Sequence, residues 1–179
     1  MEKDQNIIIS GFGGQGTLLL GKLIAAAGMV NKCEVSWIPS YGPEMRGGTA
    51  NCTVRVSKKP IGSPVVGQPN CLIAMNLPSL DKFEGSVEKD GILIYNTSLI
   101  NREPARKDIK TIAVPATELA ADKLKSAKFA NMILFGTYLK HSGFVSKEIA
   151  LQALEETVSK KHADLLATNK EAIEIGMQY

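Results

Sequence analysis

Residues 6–20, NIIISGFGGQGTLLL, hold the residue types in this chain that most resemble a ligand cradle. Gly11, Gly13 and Gly16 stand at G-x-G-x-x-G spacing, after an apolar run and before an apolar helix. In a strand–turn–helix unit the first glycine permits a tight turn and the second lets a phosphate approach the backbone. The third lets the helix pack on the strand. The N–H groups opening such a helix face whatever lies above the sheet. The ligand this spacing points to is a dinucleotide.

Two further requirements of nucleotide chemistry are missing. A dinucleotide site needs an acidic residue on the ribose, about 20 residues beyond the turn, at the end of the second strand. The second strand reads as Glu34 to Ile38, and it runs out through Trp37, Ile38, Pro39 and Ser40 without an Asp or Glu. Glu34 sits at the wrong end, and no Arg is there to hold a 2′-phosphate. The Walker A pattern fails too, because Thr17-Leu18 follows Gly16 where Lys-Ser/Thr should stand. Packing of helix on strand is then the expected role of Gly16. Gly13, Gly14 and Gln15 point to surface contact, since the turn needs one glycine and not two, and Gln15 adds a polar side chain for a ligand or partner.

Other chemistries find little support. Cys33, Cys52 and Cys71 form no C-x-x-C pair, which argues against a zinc or iron–sulfur site and for buried free thiols in a reducing compartment. His141 and His162 stand far apart, with no ligand or nucleophile pattern beside them, and read as surface residues. Twenty-one Lys and Arg against 18 Asp and Glu leave a net charge of +3, spread along the chain. The pairs Lys58-Lys59 and Lys160-Lys161 lack interleaved aromatics and read as solvated surface rather than a nucleic-acid patch. No apolar run reaches the roughly 18 residues of a membrane span, and the mixed-charge start is unlike a signal peptide. A cytoplasmic protein is expected.

The elements that would position the glycine turn fit one domain over residues 1–179. Strands are expected at Ile7 to Ile9, Glu34 to Ile38, Asn51 to Val56, Cys71 to Met75, Ile92 to Tyr95 and Ile109 to Val114. Helices are expected at Thr17 to Met29, Ala116 to Lys125, Phe129 to Lys140, Lys147 to Thr157 and about His162 to Ile175. Pro78 should open another short one. Ser146 is placed to cap the Lys147 helix. Residues 39–49 are too rich in Gly and Pro for a crossover helix, so the second and third strands should pair antiparallel. The expected fold class is α/β. It is a three-layer Rossmann-like domain with a mixed, mostly parallel sheet and a helical C-terminal part.

Taken together, these residues resemble the gamma subunit of the 2-oxoacid:ferredoxin (acceptor) oxidoreductases, over nearly the whole chain. The resemblance runs through Gly11 to Gly16 and through Ser40-Tyr-Gly-Pro-Glu-Met-Arg-Gly-Gly48, its most specific signature. It continues in Ile61 to Pro64, Ala74 to Asn76, Gly91 to Asn96, Val114 to Thr117, Ala130 to Met132 with Gly136, and Asn169, Ala172 and Gly176. Asn70 departs from a common Asp, and Lys125-Ser126 from a common glycine. The resemblance implies a complex that oxidatively decarboxylates a 2-oxoacid, 2-oxoglutarate above others, to an acyl-CoA and passes electrons to ferredoxin. Thiamine diphosphate, magnesium and iron–sulfur clusters would sit on other subunits. This chain, with no cluster or diphosphate motif, would bind none of them alone and would be inert alone. Alpha-, beta- and delta-type subunits are the implied partners, with a homodimer possible for the isolated chain. An indolepyruvate-type subunit and a stand-alone nucleotide-binding Rossmann-like protein are the alternatives.

The two glycine-rich loops follow the first and second strands. Both should emerge at the C-terminal edge of the sheet, where α/β folds place ligands. The expected cofactor-binding residues are Gly11, Gly13, Gly14, Gln15 and Gly16, with Tyr41, Arg46, Gly47 and Gly48. CoA, or the rim of an active site, is the expected occupant. Arg46 can fork onto a phosphate or carboxylate, or else pair with Glu44 or a partner subunit.

Overall fold

The computed structural model describes residues 3–40, 49–158 and 165–179. Tyr41, Arg46, Gly47 and Gly48 of the expected site lie outside the described residues, as do His162 and the expected start of the last helix.

Six strands form one sheet: β1 (Gln5–Phe12), β2 (Glu34–Ser40), β3 (Thr49–Ser57), β4 (Cys71–Ala74), β5 (Ile92–Asn96) and β6 (Lys110–Val114). Their order is β2-β3-β1-β4-β5-β6. β3 runs antiparallel to both β1 and β2, while β1, β4, β5 and β6 are mutually parallel. The mixed sheet follows from the short connection between β2 and β3, which leaves no length for a crossover. Because β3 opposes both neighbours, β1 and β2 point the same way. Phe12 lies beside Thr49 and Ser40 beside Asn51, so the two strands end at the same edge, β1 two residues further on.

Alternation along the strands divides the core in two. Ile7, Ile9, Val54, Ile73 and Ile94 face the helices α1 (Thr17–Val30), α3 (Ala116–Leu124), α4 (Ala130–Ser142), α5 (Lys147–Thr157) and α6 (Leu166–Gly176). Ile8, Leu72, Leu93 and Tyr95 face the short helix α2 (Leu77–Phe83) and the segment carrying Ile100 and Ile109. The helical side is two layers deep. α1 lies on β1, β2 and β3, and α5 covers α1; α6 covers α4. That double cover explains the burial of α4 on every side: all ten residues from Ala130 to Leu139 are buried.

Local chemistry sets the helix ends. Ser146 Oγ accepts from Ile149 N at 3.4 Å, as its type and position predict. Asn76 Oδ1 accepts from Ser79 N at 3.0 Å and opens α2, with Pro78 in its first turn. Both departures from the family pattern have a structural reading. Asn70 Oδ1 accepts from Asn6 N (3.0 Å) while its Nδ2 donates to Asp4 O (2.7 Å), a donation a carboxylate could not make. Lys125 ends α3 at φ 58°, in the left-handed region that favours glycine.

α4 and α6 cross with backbone against backbone. A Cβ on Gly136 would fall on the carbonyl oxygen of Ile173, and one on Gly176 on that of Ile133. Thr137 Oγ1 bridges the pair, reaching Ile133 O (3.2 Å) and Gly176 O (3.0 Å). Gly136→Ala or Gly176→Ala must force the helices apart and should cost about 1–3 kcal/mol, as overpacking does. Thermal melts check this, with Gly62→Ala, where an added Cβ meets nothing within 4 Å, as the unaffected control.

On the opposite face Glu84 is buried and pins the segment between β5 and β6. Its carboxylate accepts from Ala105 N, from Arg106 N (3.0 Å) and from Arg102 Nη2 (2.9 Å). Burial alone would raise this carboxyl. The Arg106 N–H, the Arg102 side chain and the Ala105 N–H together outweigh burial and hold it below the ordinary carboxylate value. A depressed folded value means stability that is present above the unfolded value and lost as pH falls through the folded one. Glu84→Gln should therefore lower stability at pH 7 by roughly 1–3 kcal/mol. The gap to the wild type should begin to close below pH 4.5 and vanish below the depressed value, as denaturant titrations at several pH values would show.

Candidate functional site

The expected turn begins later than the glycine spacing suggests. β1 continues to Phe12, so Gly11 is a strand residue paired with Ala50 and not part of the turn. Gly11 is there for close packing: a Cβ would crowd Thr17 Oγ1 and Gln15 Oε1 inside 3 Å. The reversal itself uses Gly14 at φ +89° and Gly16 at φ +77°, both left-handed. Gly16 also packs, against α4 and not against the strand: its Cβ would coincide with the Asn131 carboxamide, whose Nδ2 donates to Gly16 O at 3.4 Å.

Gln15 is held by its neighbours. Its Oε1 accepts from Phe12 N (2.5 Å) and from Asn76 Nδ2 (3.2 Å), tying the turn to the end of β4. The same Asn76 caps α2, so one carboxamide joins two strand ends and a helix start. The helix above the turn is uncapped. Gly16 offers no capping side chain, and among the described residues nothing accepts from the N–H groups of Thr17, Leu18 or Leu19. Those donors and the positive end of α1 point outward from the strand edge.

Three depressions meet on this turn. The largest, about 650 Å³, is lined by Gly14, Gly16, Leu19, Lys128, Asn131 and Asn169 among others. A second, about 290 Å³, lies between Phe12, Gly13, Leu19 and Ala50. A third, about 190 Å³, lies between Gln15, Met75, Leu99, Thr117 and Lys128. Gly13, Gly14, Gln15 and Gly16 thus sit in the walls of clefts, at the edge where β2 also ends. Among the described residues Lys128 is the one charged group in these walls, and it lines two of the three. Sequence reasoning did not select Lys128, Asn131 or Asn169 as site residues. Asn131 lies 115 residues from Gly16, and nothing local in the sequence announces that they touch.

The chemistry this arrangement supports is recognition of an anion with an apolar body. Open N–H groups and Lys128 supply positive charge, the carboxamides of Gln15, Asn131 and Asn169 supply donors and acceptors, and the remaining walls are largely apolar. Among the described residues no three His, Cys, Asp or Glu side chains converge as a metal would need. Burial pushes the Cys52 thiol up to about 12 and Cys71 higher still, so both are inert. Cys33 departs from expectation in being only half-buried. His141 lies at the surface, half-buried between Lys110 Nζ (3.0 Å) and Tyr179 O (3.1 Å). No helix among the described residues is long and apolar enough to cross a membrane.

The Gly16–Asn131 contact can be tested directly. Gly16→Ala combines a strained φ with a clash and should cost roughly 2–4 kcal/mol. Adding Asn131→Ala removes the clash but not the strain, so the double variant should be more stable than the sum of the two single losses predicts. A double-mutant cycle by denaturant unfolding reads this coupling.

Comparison with known proteins bears on the same turn and the whole fold around it. The family described as pyruvate ferredoxin/flavodoxin oxidoreductase matches residues 6–179. The ketoisovalerate oxidoreductase subunit VorA of Methanothermobacter marburgensis is 39% identical over 137 residues, 76% of this chain and 28% of that one. The chain therefore spans little more than a quarter of the length of that relative. The 2-oxoglutarate synthase subunit KorC of Methanocaldococcus jannaschii is 31% identical over 170 residues, 93% of this chain and 91% of that one. Among solved structures, the keto/oxoacid ferredoxin oxidoreductase gamma subunit from Geobacter sulfurreducens PCA superposes with a TM-score of 0.84 at 28% identity. It covers 97% of this chain and 96% of its own. With a match that starts one residue into β1 and runs to Tyr179, the chain belongs to the pyruvate ferredoxin/flavodoxin oxidoreductase family.

Proposed function

We propose that this chain is the gamma subunit of a 2-oxoacid:ferredoxin oxidoreductase acting on 2-oxoglutarate. The reaction takes a 2-oxoacid and CoA to acyl-CoA and carbon dioxide, and hands two electrons to ferredoxin. This chain contributes a CoA-facing surface and no redox centre. The observation that carries the reading is the convergence of three clefts on Gly14, under the uncapped start of α1, with Gly16 and Lys128 each lining two of them. CoA is an anion with a long, partly apolar body, the chemistry those walls accommodate. Arg46, with Tyr41, Gly47 and Gly48 around it in sequence, is a second proposed anion partner, joined to the ends of β2 and β3 at the same edge.

The 2-oxoglutarate assignment rests on the KorC relative, which matches this chain nearly end to end. The higher identity of the VorA relative favours a second reading, a branched-chain 2-oxoacid. The thiamine and iron–sulfur chemistry is assigned to partner subunits of alpha, beta and delta type, as membership of the family implies.

The test is the native complex, purified through a tag on this chain and assayed with CoA and an artificial acceptor. 2-Oxoglutarate should give the highest kcat/KM in a panel with pyruvate, 2-oxoisovalerate and indolepyruvate. Lys128→Ala and Arg46→Ala should each raise KM for CoA roughly tenfold, at little cost in kcat, as loss of uniform binding does. Unchanged KM in both variants, with assembly intact, would remove CoA from this surface.

A further inference from the structure

The smallest of the three clefts, about 190 Å³, differs from its neighbours in what its polar side chains still have to offer. Gln15 lines it, with Oε1 already accepting from Phe12 N (2.5 Å) and Asn76 Nδ2 (3.2 Å). Neither carboxamide can turn over. Gln15 Oε1 serves the Phe12 N–H and Asn76 Oδ1 serves the Ser79 N–H, and a backbone N–H must meet oxygen, not NH₂. The hydrogens on Gln15 Nε2 are left over, and among the described residues nothing accepts them. Thr117, in the first turn of α3, lines the same cleft and is fixed in the same way. The buried Asn96 is locked by backbone on both sides: its Oδ1 accepts from Thr117 N (3.4 Å) and its Nδ2 donates to Met75 O (3.3 Å). That Nδ2 also donates to Thr117 Oγ1 (2.8 Å), so the hydroxyl is an acceptor within the fold and its own hydrogen is free to donate. Lys128 adds an exposed ammonium, which can only donate.

We propose that this cleft is a subsite for an oxyanion, a phosphoryl or carboxylate group on an apolar stem, held by Gln15, Thr117 and Lys128. Asn76 and Asn96 are positioning residues that set the polarity of the first two. The inference rests on the anion reading of this edge given above and names the group that one cleft takes. An oxyanion brings acceptors only, so each spare donor gains a charge-assisted partner. An ammonium or a primary amide would set donor against donor and leave groups unpaired. The remaining side chains of the wall, Met75, Leu99, Ala127 and Ala130, are apolar and suit the stem. Size limits the occupant. Pockets that enclose a whole drug-sized ligand run to roughly 300–1,000 Å³, so this one takes a single group of a larger ligand or a small free acid. Its donors do not come from an open helix start, because the first N–H groups of α3 are occupied: Thr117 N by Asn96 and Glu118 N by Ser98 Oγ (3.1 Å). A phosphate of CoA and a free small anion share this chemistry.

The test has two arms. In the first, inorganic phosphate and acetate are titrated into the full chain while the Gln15 side-chain amide is followed by NMR. Binding should be saturable and should shift that resonance. Thr117→Val removes a donor without adding charge. Gln15→Glu keeps both bonds its oxygen accepts and turns the spare donor into an acceptor of the same shape. Each should weaken phosphate roughly tenfold, with Thr117→Ser close to wild type and the melting temperature of Gln15→Glu unchanged. Asn76→Ser keeps a capping oxygen for Ser79 N but is too short to hold Gln15, so it should weaken phosphate too, which loss of a cap alone would not do. In the second arm the native complex is assayed with CoA and with 3′-dephospho-CoA. A KM raised by Thr117→Val for CoA alone assigns the subsite to the 3′-phosphate, and one raised for both assigns it to the diphosphate. An unchanged KM with weakened phosphate binding assigns it to a free anion. No saturable binding of phosphate or acetate, or binding untouched by Thr117→Val and Gln15→Glu, overturns the subsite. If Lys128→Ala and Arg46→Ala leave KM for CoA unchanged while Thr117→Val weakens phosphate, the CoA reading fails and the subsite stands. If they raise that KM while Thr117→Val and Gln15→Glu change nothing in either arm, only the subsite fails.

Discussion

The contact between Gly16 and Asn131 is the constraint on which the candidate site depends. Gly16 sits at φ +77°, between the end of the turn and the first residue of α1, with the Asn131 carboxamide occupying the space a side chain would need. The absence of a Cβ lets α4 reach the turn. α4 then brings Asn131 and the residues before it, Lys128 and Phe129, to the edge where β1 ends. Any side chain at position 16 would move the helix, and with it one wall of the largest cleft.

The depth of the helical side follows from the same geometry. α4 and α1 lie against the sheet and must be covered, because both are apolar on most sides. α5 and α6 provide the cover. α6 is held to α4 by the Gly136 and Gly176 contacts, and that close crossing carries Asn169 into the largest cleft. A backbone contact deep in the core thus places a polar side chain at the surface. The bonds of Glu84 do comparable work on the other face, where one α-helix and a long connection stand opposite five helices.

Much of this was legible in the sequence because it is local. Alternation and apolar runs mark the strands, Ser146 marks a helix start, and the Gly/Pro-rich connection predicts the antiparallel pairing of β2 with β3. The missing acid after Trp37 argues against a dinucleotide, and the sheet adds a reason: β3 separates β1 from β2, so the end of β2 is one strand further from the turn than in a simple nucleotide fold. What the sequence hid was non-local. Gly11 fits a turn motif by spacing but is a strand residue, because the pairing with β3 extends to Phe12. Gln15 reads as a free polar group, yet its acceptor is occupied by Phe12 and by Asn76, 61 residues away. Lys128 looks like any surface lysine until α3 and α4 bring it to the turn.

A glycine fingerprint therefore has different physical content here from its usual one. In a dinucleotide fold the three glycines serve turn, ligand and helix packing within one β-turn-α unit. Here Gly11 serves the packing of Thr17 and Gln15, Gly16 serves the approach of α4, and Gly14 alone keeps an open left-handed position at the surface. The clefts around Gly14 open to the surface and are lined largely by apolar groups among the described residues. A self-sufficient nucleotide site would bury most of its ligand. The start of α1 stays uncapped beside these clefts, with Gly14 in the wall of all three and Gly16 held against Asn131.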